Sequence, residues 1–220
     1  GSNASNQTDY LCIKDDKLYV STKDNVAAYS LDDLSKQWET AGSFGQYHPL
    51  QHLTVDGKGY IWCSGKVIDA SNGSLVKIYK DSEKTEELNG FFAWSSGAVV
   101  NNIFYVTDRN NIYAIDLSSG YIKDFENYSS TTTGNTSGQV VYDEASKRLY
   151  WASKSELKMF SVKVAEDGLF ADETLLTVET VINSVNAPVI YDGSVYLVGQ
   201  GGSKAMLLRR FLIMTWPQIL

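Results

Sequence analysis

At 220 residues the chain has room for one well-buried domain or a closed ring of small sheets, and hardly for two independent cores. Nineteen Lys and Arg against 26 Asp and Glu leave a net charge of -7 without any basic run, which argues against nucleic acid and anionic membranes as partners. Only Cys12 and Cys63 are present, so no disulfide framework holds the fold; two buried thiols or a single bridge remain open.

The opening Gly-Ser-Asn-Ala reads as a tag remnant, and residues 1–9 as a disordered lead-in without the apolar core of a signal peptide. Such a start is what a removed export signal leaves, and it suits an extracellular or cell-surface protein. From residue 10 a Tyr flanked by apolar residues recurs, as Leu18-Tyr19-Val20, Gly59-Tyr60-Ile61, Phe104-Tyr105-Val106, Leu149-Tyr150-Trp151 and Val195-Tyr196-Leu197. The intervals are 41, 45, 45 and 46 residues. Each Tyr follows a polar turn (KDDK, VDGKG, VNN, YDEASKR, YDGS), and an apolar stretch precedes each turn, which is the pattern of a β-hairpin.

After each Tyr strand a second polar turn leads to a third strand ending near Leu31, Ile68, Leu117 or Val162, and a less regular fourth segment closes the unit. Four antiparallel strands repeated at this interval are the mark of a β-propeller blade, because one such sheet cannot bury both faces alone. The expected fold is all-β: a propeller of four-stranded antiparallel blades, about five of them, forming a small ring or part of a larger one. The units run over residues 10–44, 45–89, 90–134, 135–181 and 182–202 and on. The echo Ile68-Asp69-x-Ser71-x-Gly73 and Ile115-Asp116-x-Ser118-x-Gly120 is then the end of a third strand and its turn, with Asp and Ser as turn formers.

Residues 203–220 break the pattern. The run LLRRFLIMTWPQIL is too short to span a bilayer and carries two arginines, so it is expected to complete the fifth blade, with a partner-binding strand or a non-native terminus as the other readings. No transmembrane segment is expected. An incomplete propeller would leave an unpaired blade edge through which chains self-associate.

The stretches NNIYAIDLSSGYI and GKVIDASNGSLVKIY resemble the repeats of the PQQ-like (quinoprotein-type) β-propeller superfamily, over roughly residues 10 to 202. That resemblance implies fold more than function, since the superfamily includes quinone-dependent dehydrogenases, outer-membrane assembly scaffolds and many surface proteins. A dehydrogenase of this kind would need a Trp beneath the cofactor, a calcium held by carboxylate and amide, and an Asp base. No residue matches these; Trp94 and Trp151 lack the surroundings, and no cofactor is expected.

In a propeller the inter-blade loops share one face with the turns between second and third strands, and that face is the usual ligand surface. Here those loops span residues 45–52, 90–97, 131–138 and 182–188 and are rich in aromatic and amide groups. Tyr47, His48, His52, Phe92, Trp94, Asn135 and Asn186, with Arg109, are the candidate ligand-binding residues: aromatic faces, amides and one cation suited to a protein, peptide or glycan. The competing reading makes Phe91, Phe92 and Trp94 wedges between blades. His48 and His52 are not a zinc pair, because Pro49 lies between them and no third ligand follows. Without a nucleophile motif or phosphate loop, the expected function is non-enzymatic binding or scaffolding.

Overall fold

The structure, a computed structural model, describes residues 10–44, 49–88, 96–108, 110–128, 138–153, 157–171, 175–179, 182–183, 187–201 and 205–212. Blade 1 is β1 (Tyr10–Lys14), β2 (Lys17–Ser21), β3 (Asn25–Ser30) and β4 (Lys36–Ala41). Blade 2 is β5 (Leu50–Val55), β6 (Lys58–Cys63), β7 (Lys66–Asp69) and the short β8 (Leu75–Val76). Blade 3 is β9 (Ala98–Val100), β10 (Ile103–Asp108), β11 (Asn111–Asp116) and β12 (Tyr121–Asn127). Blade 4 is β13 (Val141–Asp143), β14 (Arg148–Ser153), β15 (Lys158–Lys163) and β16 (Leu176–Glu179). Blade 5 is β17 (Ile182–Asn183), β18 (Val189–Tyr191), β19 (Ser194–Gly201) and β20 (Ala205–Leu212). Blades 1 to 4 are antiparallel meanders with strands in sequence order. No helix occurs among the described residues, so none there is long and apolar enough to cross a membrane.

The tail that departs from the repeat is a strand. Ala205 to Leu212 pairs antiparallel with β19 from Gly201 back to Ser194, while β17 and β18 share the other edge of β19.

Turn chemistry sets the first hairpin of blades 1, 2, 3 and 5. Asp15 and Asp16, Asp56 and Gly57, Asn101 and Asn102, and Asp192 and Gly193 all have positive φ at both central positions, the two-residue turn whose twist matches the flanking strands. Asp, Asn and Gly tolerate that backbone at least cost.

The second strand of each blade carries apolar residues at consecutive positions because its two faces meet different neighbours. On β6, Ile61 and Cys63 join Tyr19, Val26, Ala28 and Trp38 of blade 1, whereas Tyr60 and Trp62 join Phe104, Val106 and Ile115 of blade 3. On β10, Ile103 and Tyr105 turn the other way, onto Leu149, Trp151 and Phe160 of blade 4. Tyr150 in turn packs with Val195 of blade 5. Each fully buried side chain of this size contributes about 1.5–3 kcal/mol, and every blade in the middle of the stack is covered on both sides.

The echoed turn now has a physical account. Asp69 Oδ1 accepts the amide of Ser71 at 2.8 Å, and Asp116 Oδ1 accepts the amide of Ser119 at 2.9 Å. Each turn glycine is also a landing place for the preceding blade. Gly73 has φ +79, and a Cβ there would lie 2.8 Å from Cε3 of Trp38, whose Nε1 donates to the Ala70 carbonyl at 3.1 Å. The Gly120 carbonyl accepts the Tyr79 amide at 2.9 Å, so the two echoed segments touch.

One segment leaves its expected unit. After the two residues of β8, residues 77–88 fold back on themselves, with Leu88 N donating to Ile78 O and Lys80 N to Glu86 O. Tyr79 then bridges in parallel to Tyr121 on β12. Residues placed by the repeat at the end of unit 2 thus extend the sheet of blade 3. A matching excursion in blade 4, residues 164–171, reaches the same strand, where Phe170 N donates to Asp124 Oδ2 at 2.9 Å.

A pair of substitutions followed by urea denaturation separates the two roles of the turn glycines. Gly57, with φ +73 and nothing within 4 Å of a Cβ, is expected to cost about 1 kcal/mol on change to Ala. Gly73→Ala shares that backbone cost and adds the displacement of Trp38, a further ~1–3 kcal/mol. Equal losses at the two sites would remove the inter-blade contact from the account.

Candidate functional site on the loop face

The loop face is built where each outer strand hands over to the next inner strand. Leaving β4, the chain is tied by Gly42 N to Asp24 O and Phe44 N to Lys23 O, both at 2.9 Å, so the loop sits on the β2–β3 turn of its own blade. Phe44 is completely buried and packs between blades 1 and 2. Lys66, from the β6–β7 turn of blade 2, closes over it, with Nζ 5.1 Å from the ring centre and donating to the Ser43 carbonyl at 2.5 Å. Tyr128 repeats the arrangement after β12: its amide donates to Asn110 O, and its ring packs edge-on to Trp151 at 5.3 Å. The aromatic residues at the start of these two loops are wedges between blades.

Nearer the axis, Gln51 of β5 clasps Gly97 at the start of blade 3. Its Nε2 donates to Gly97 O at 2.8 Å and its Oε1 accepts Gly97 N at 2.9 Å. A Cβ on Gly97 would meet the Tyr105 carbonyl at 2.2 Å, so only glycine fits there.

Of the residues singled out from the sequence, Tyr47, His48, Phe92, Trp94, Arg109, Asn135 and Asn186 lie outside the described residues, as does Phe91. His52 is described, and it is in a strand rather than a loop. It pairs with Ile61 across β5 and β6 and faces blade 1, its ring 5.7 Å from that of Tyr19. A Cβ on Gly59 would come within 2.9 Å of its Nε2, so glycine there makes room for the imidazole. Leu50-Gln51-His52 has the polar look of a loop, but β5 begins at Leu50 because this inner strand is paired along its whole length with β6.

The described tryptophans do not fit a quinone floor. Trp151 is fully buried, stacked on Phe160 at 5.7 Å and met by the edge of Tyr128. Trp62 is buried edge-on against Phe104 at 5.0 Å, and Trp38 lies on the Gly73 turn.

Beside the β6–β7 turn, a cavity of about 310 Å³ opens between blades 2 and 3. Its apolar walls come from Trp62, Val67, Val76, Ile78, Leu88 and Ile115. Lys66 borders it, as does the ion pair between Lys77 and Glu87 at 2.8 Å. The space exists because β8 stops after Val76 and the chain crosses to blade 3, leaving a slot under residues 77–88. Sequence reasoning missed it, although one sign was present: the echo of blade 3's outer strand in KIYKDSEKTEEL is interrupted by charges where β12 continues as YIKDFEN. The slot is apolar within and charged at its lip, which suits an apolar side chain carried on a polar backbone.

The protein is an all-β, β-propeller type of chain, of which five blades are described. Among solved structures it is similar to BamB from Moraxella catarrhalis, with a TM-score of 0.60 and 14% sequence identity over 87% of this chain and 57% of that one. The chain spans less than two thirds of that structure's length, and the likeness is one of fold. No protein-family model matches the chain, and no curated protein matches it in sequence.

Burial holds His52 below the 6.5 of a free histidine, opposed by Asp15 and helped by Lys14 and Lys17. The folded protein therefore prefers the neutral ring, and the unfolded chain takes up a proton first as pH falls through 6.5. His52 stabilises fully above that value and progressively less below it. Denaturation midpoints between about pH 7.5 and about pH 5.5 should fall in the wild type and fall less in His52→Gln. Identical slopes in both proteins would show that His52 does not change its titration on folding.

Proposed function

We propose that this chain belongs to a non-enzymatic β-propeller scaffold that holds a partner protein on its loop face, with the slot between blades 2 and 3 as a point of attachment. The observation that carries this reading is the slot itself, an apolar recess between two rigid sheets with separate positive and negative groups at its lip. A partner side chain entering there buries apolar surface, and the lip charges orient its backbone. The resemblance of the repeats to PQQ-like propellers supports the family, and an exported setting is consistent with it.

An assembly scaffold of the outer-membrane kind is the narrower form of the same reading, supported by the likeness in fold to BamB. The loop residues Tyr47, His48, Phe92, Trp94, Arg109, Asn135 and Asn186 are proposed to extend the contact surface from the slot across the same face. His52, packed against Tyr19, supports that surface from below.

The test is a quantitative affinity capture from the native cell envelope with three baits: wild type, Val76→Asp in the slot, and Leu34→Asp, which is exposed in the β3–β4 turn on the opposite face. Circular dichroism confirms that all three fold. A protein retained by wild type and by Leu34→Asp but reduced at least tenfold on Val76→Asp supports the slot. Equal retention by all three baits would move the contact elsewhere, and the absence of any enriched protein would overturn the scaffold reading.

A further inference from the structure

Blades 2 and 3 are not the same height on the loop face. The echoed turns make Ile68 and Ile115 equivalent, and each pairs with its second strand, Ile68 with Ile61 and Ile115 with Phe104. From that row towards the loop face, blade 2 has two more pairs, ending at Cys63 and Lys66, whereas blade 3 has four, ending at Asp108 and Asn111. The blade 3 hairpin therefore stands two residues, roughly 7 Å, above its neighbour. Its outer strand climbs with it to Asn127, while β8 stops at Val76.

What rises above blade 2 is the blade 3 face that turns towards it. That face is laid out in rows across β11 and β12: Ile115 with Ile122 at the level of the slot, Tyr113 with Phe125 above them, and Asn111 with Asn127 at the rim. Ile115 lines the slot, and Tyr113 packs on the same apolar cluster. The rings of Tyr113 and Phe125 lie 6.1 Å apart and 33° from parallel. Asn111 Nδ2 donates to the Tyr113 hydroxyl at 3.1 Å, and Asn127 Nδ2 donates to Asn111 Oδ1 at 3.1 Å, so the phenol is fixed from the rim. Phe125 is nonetheless 59% exposed in the folded chain.

We infer that the slot and this aromatic step together receive one extended segment of a partner protein, an apolar side chain entering the slot and an aromatic one two residues on lying against Phe125. The inference rests on the slot being a point of attachment and adds the chemistry of what attaches there. Successive rows on one face of β11 are roughly 7 Å apart, the period at which an extended chain presents alternate side chains. An aromatic ring suits Phe125 because it brings a large apolar area and packs offset or edge-on beside a ring already held in place. The step lies between two described blades, so blades added at either end of the sequence would not cover it.

A random heptapeptide library displayed on phage supplies the probe. Selection on the wild-type chain should enrich a large apolar residue followed two positions later by Phe, Tyr or Trp. A synthetic peptide of the enriched sequence should bind at least tenfold more weakly to Val76→Asp and to Phe125→Ser, and within twofold of wild type to Phe125→Tyr and to Leu34→Asp. Phe125 and Leu34 are exposed, so these variants are expected to fold, which circular dichroism checks for all four. Loss on Val76→Asp alone would overturn the aromatic step and leave the slot as the attachment point. An enriched pair three or four positions apart would mean a helix and overturn the extended segment. No enriched sequence overturns the inference outright, and the envelope capture then decides separately whether the slot holds a partner. Two rival occupants are separated by further measurements. Peptide binding that tightens tenfold when Phe91, Phe92 and Trp94 are changed to Ser would make residues 89–95 the natural occupant. Self-association of the wild type, abolished by Phe125→Ser, would make it a second copy. Either result overturns the proposal.

Discussion

The constraint on which everything else depends is that each sheet is apolar on both faces and no sheet can satisfy itself. In a sandwich one face packs and the other meets water, and strands alternate apolar with polar residues. Here β6 reads Tyr-Ile-Trp-Cys and β10 reads Ile-Phe-Tyr-Val without a polar break, all of them buried. Such strands are stable only between two neighbours, and radial stacking supplies both.

Stacking then places demands on the edges. Turns that contact the next blade must be thin, and this is why glycine stands where Trp38 lies over Gly73. The tips lock together through polar groups: the Asp56 amide donates to Asn102 Oδ1, and the Ser118 hydroxyl donates to the Asp56 carboxylate. The Tyr105 hydroxyl reaches the Gly168 carbonyl at 2.8 Å, and its removal from water raises the phenol's pKa well above the ordinary value. Blade 3 receives straps from both sides, through Tyr79 and through Phe170, which tie its outer strand to both neighbouring blades.

The proposed surface grows out of these demands. Where the inter-blade loops start, their aromatic residues are used up as wedges: Phe44 and Tyr128 are buried between sheets and offer nothing to a ligand. The recess that does open lies where regularity fails, at the short β8. Its walls are core residues of two blades seen from the side, and its lip is an ion pair exposed enough to respond to salt. A recess made from a defect in a repeat is positioned as rigidly as the repeat itself.

The blade repeat was legible because its causes are local. Alternate burial follows from the two-residue period of a strand, and the Asp-Asp, Asp-Gly and Asn-Asn turns select positive φ at neighbouring positions, so tyrosine spacing and turn chemistry together determined strands, hairpins and the stacking of blades. The tertiary structure alone decided the remainder: that His52 faces Tyr19 instead of the loops, that residues 77–88 cross to blade 3, and that Gln51 grips Gly97 46 residues away. Each of these depends on which distant surface comes to lie against a residue, and a strand of given pattern is compatible with many such partners until the sheets are stacked.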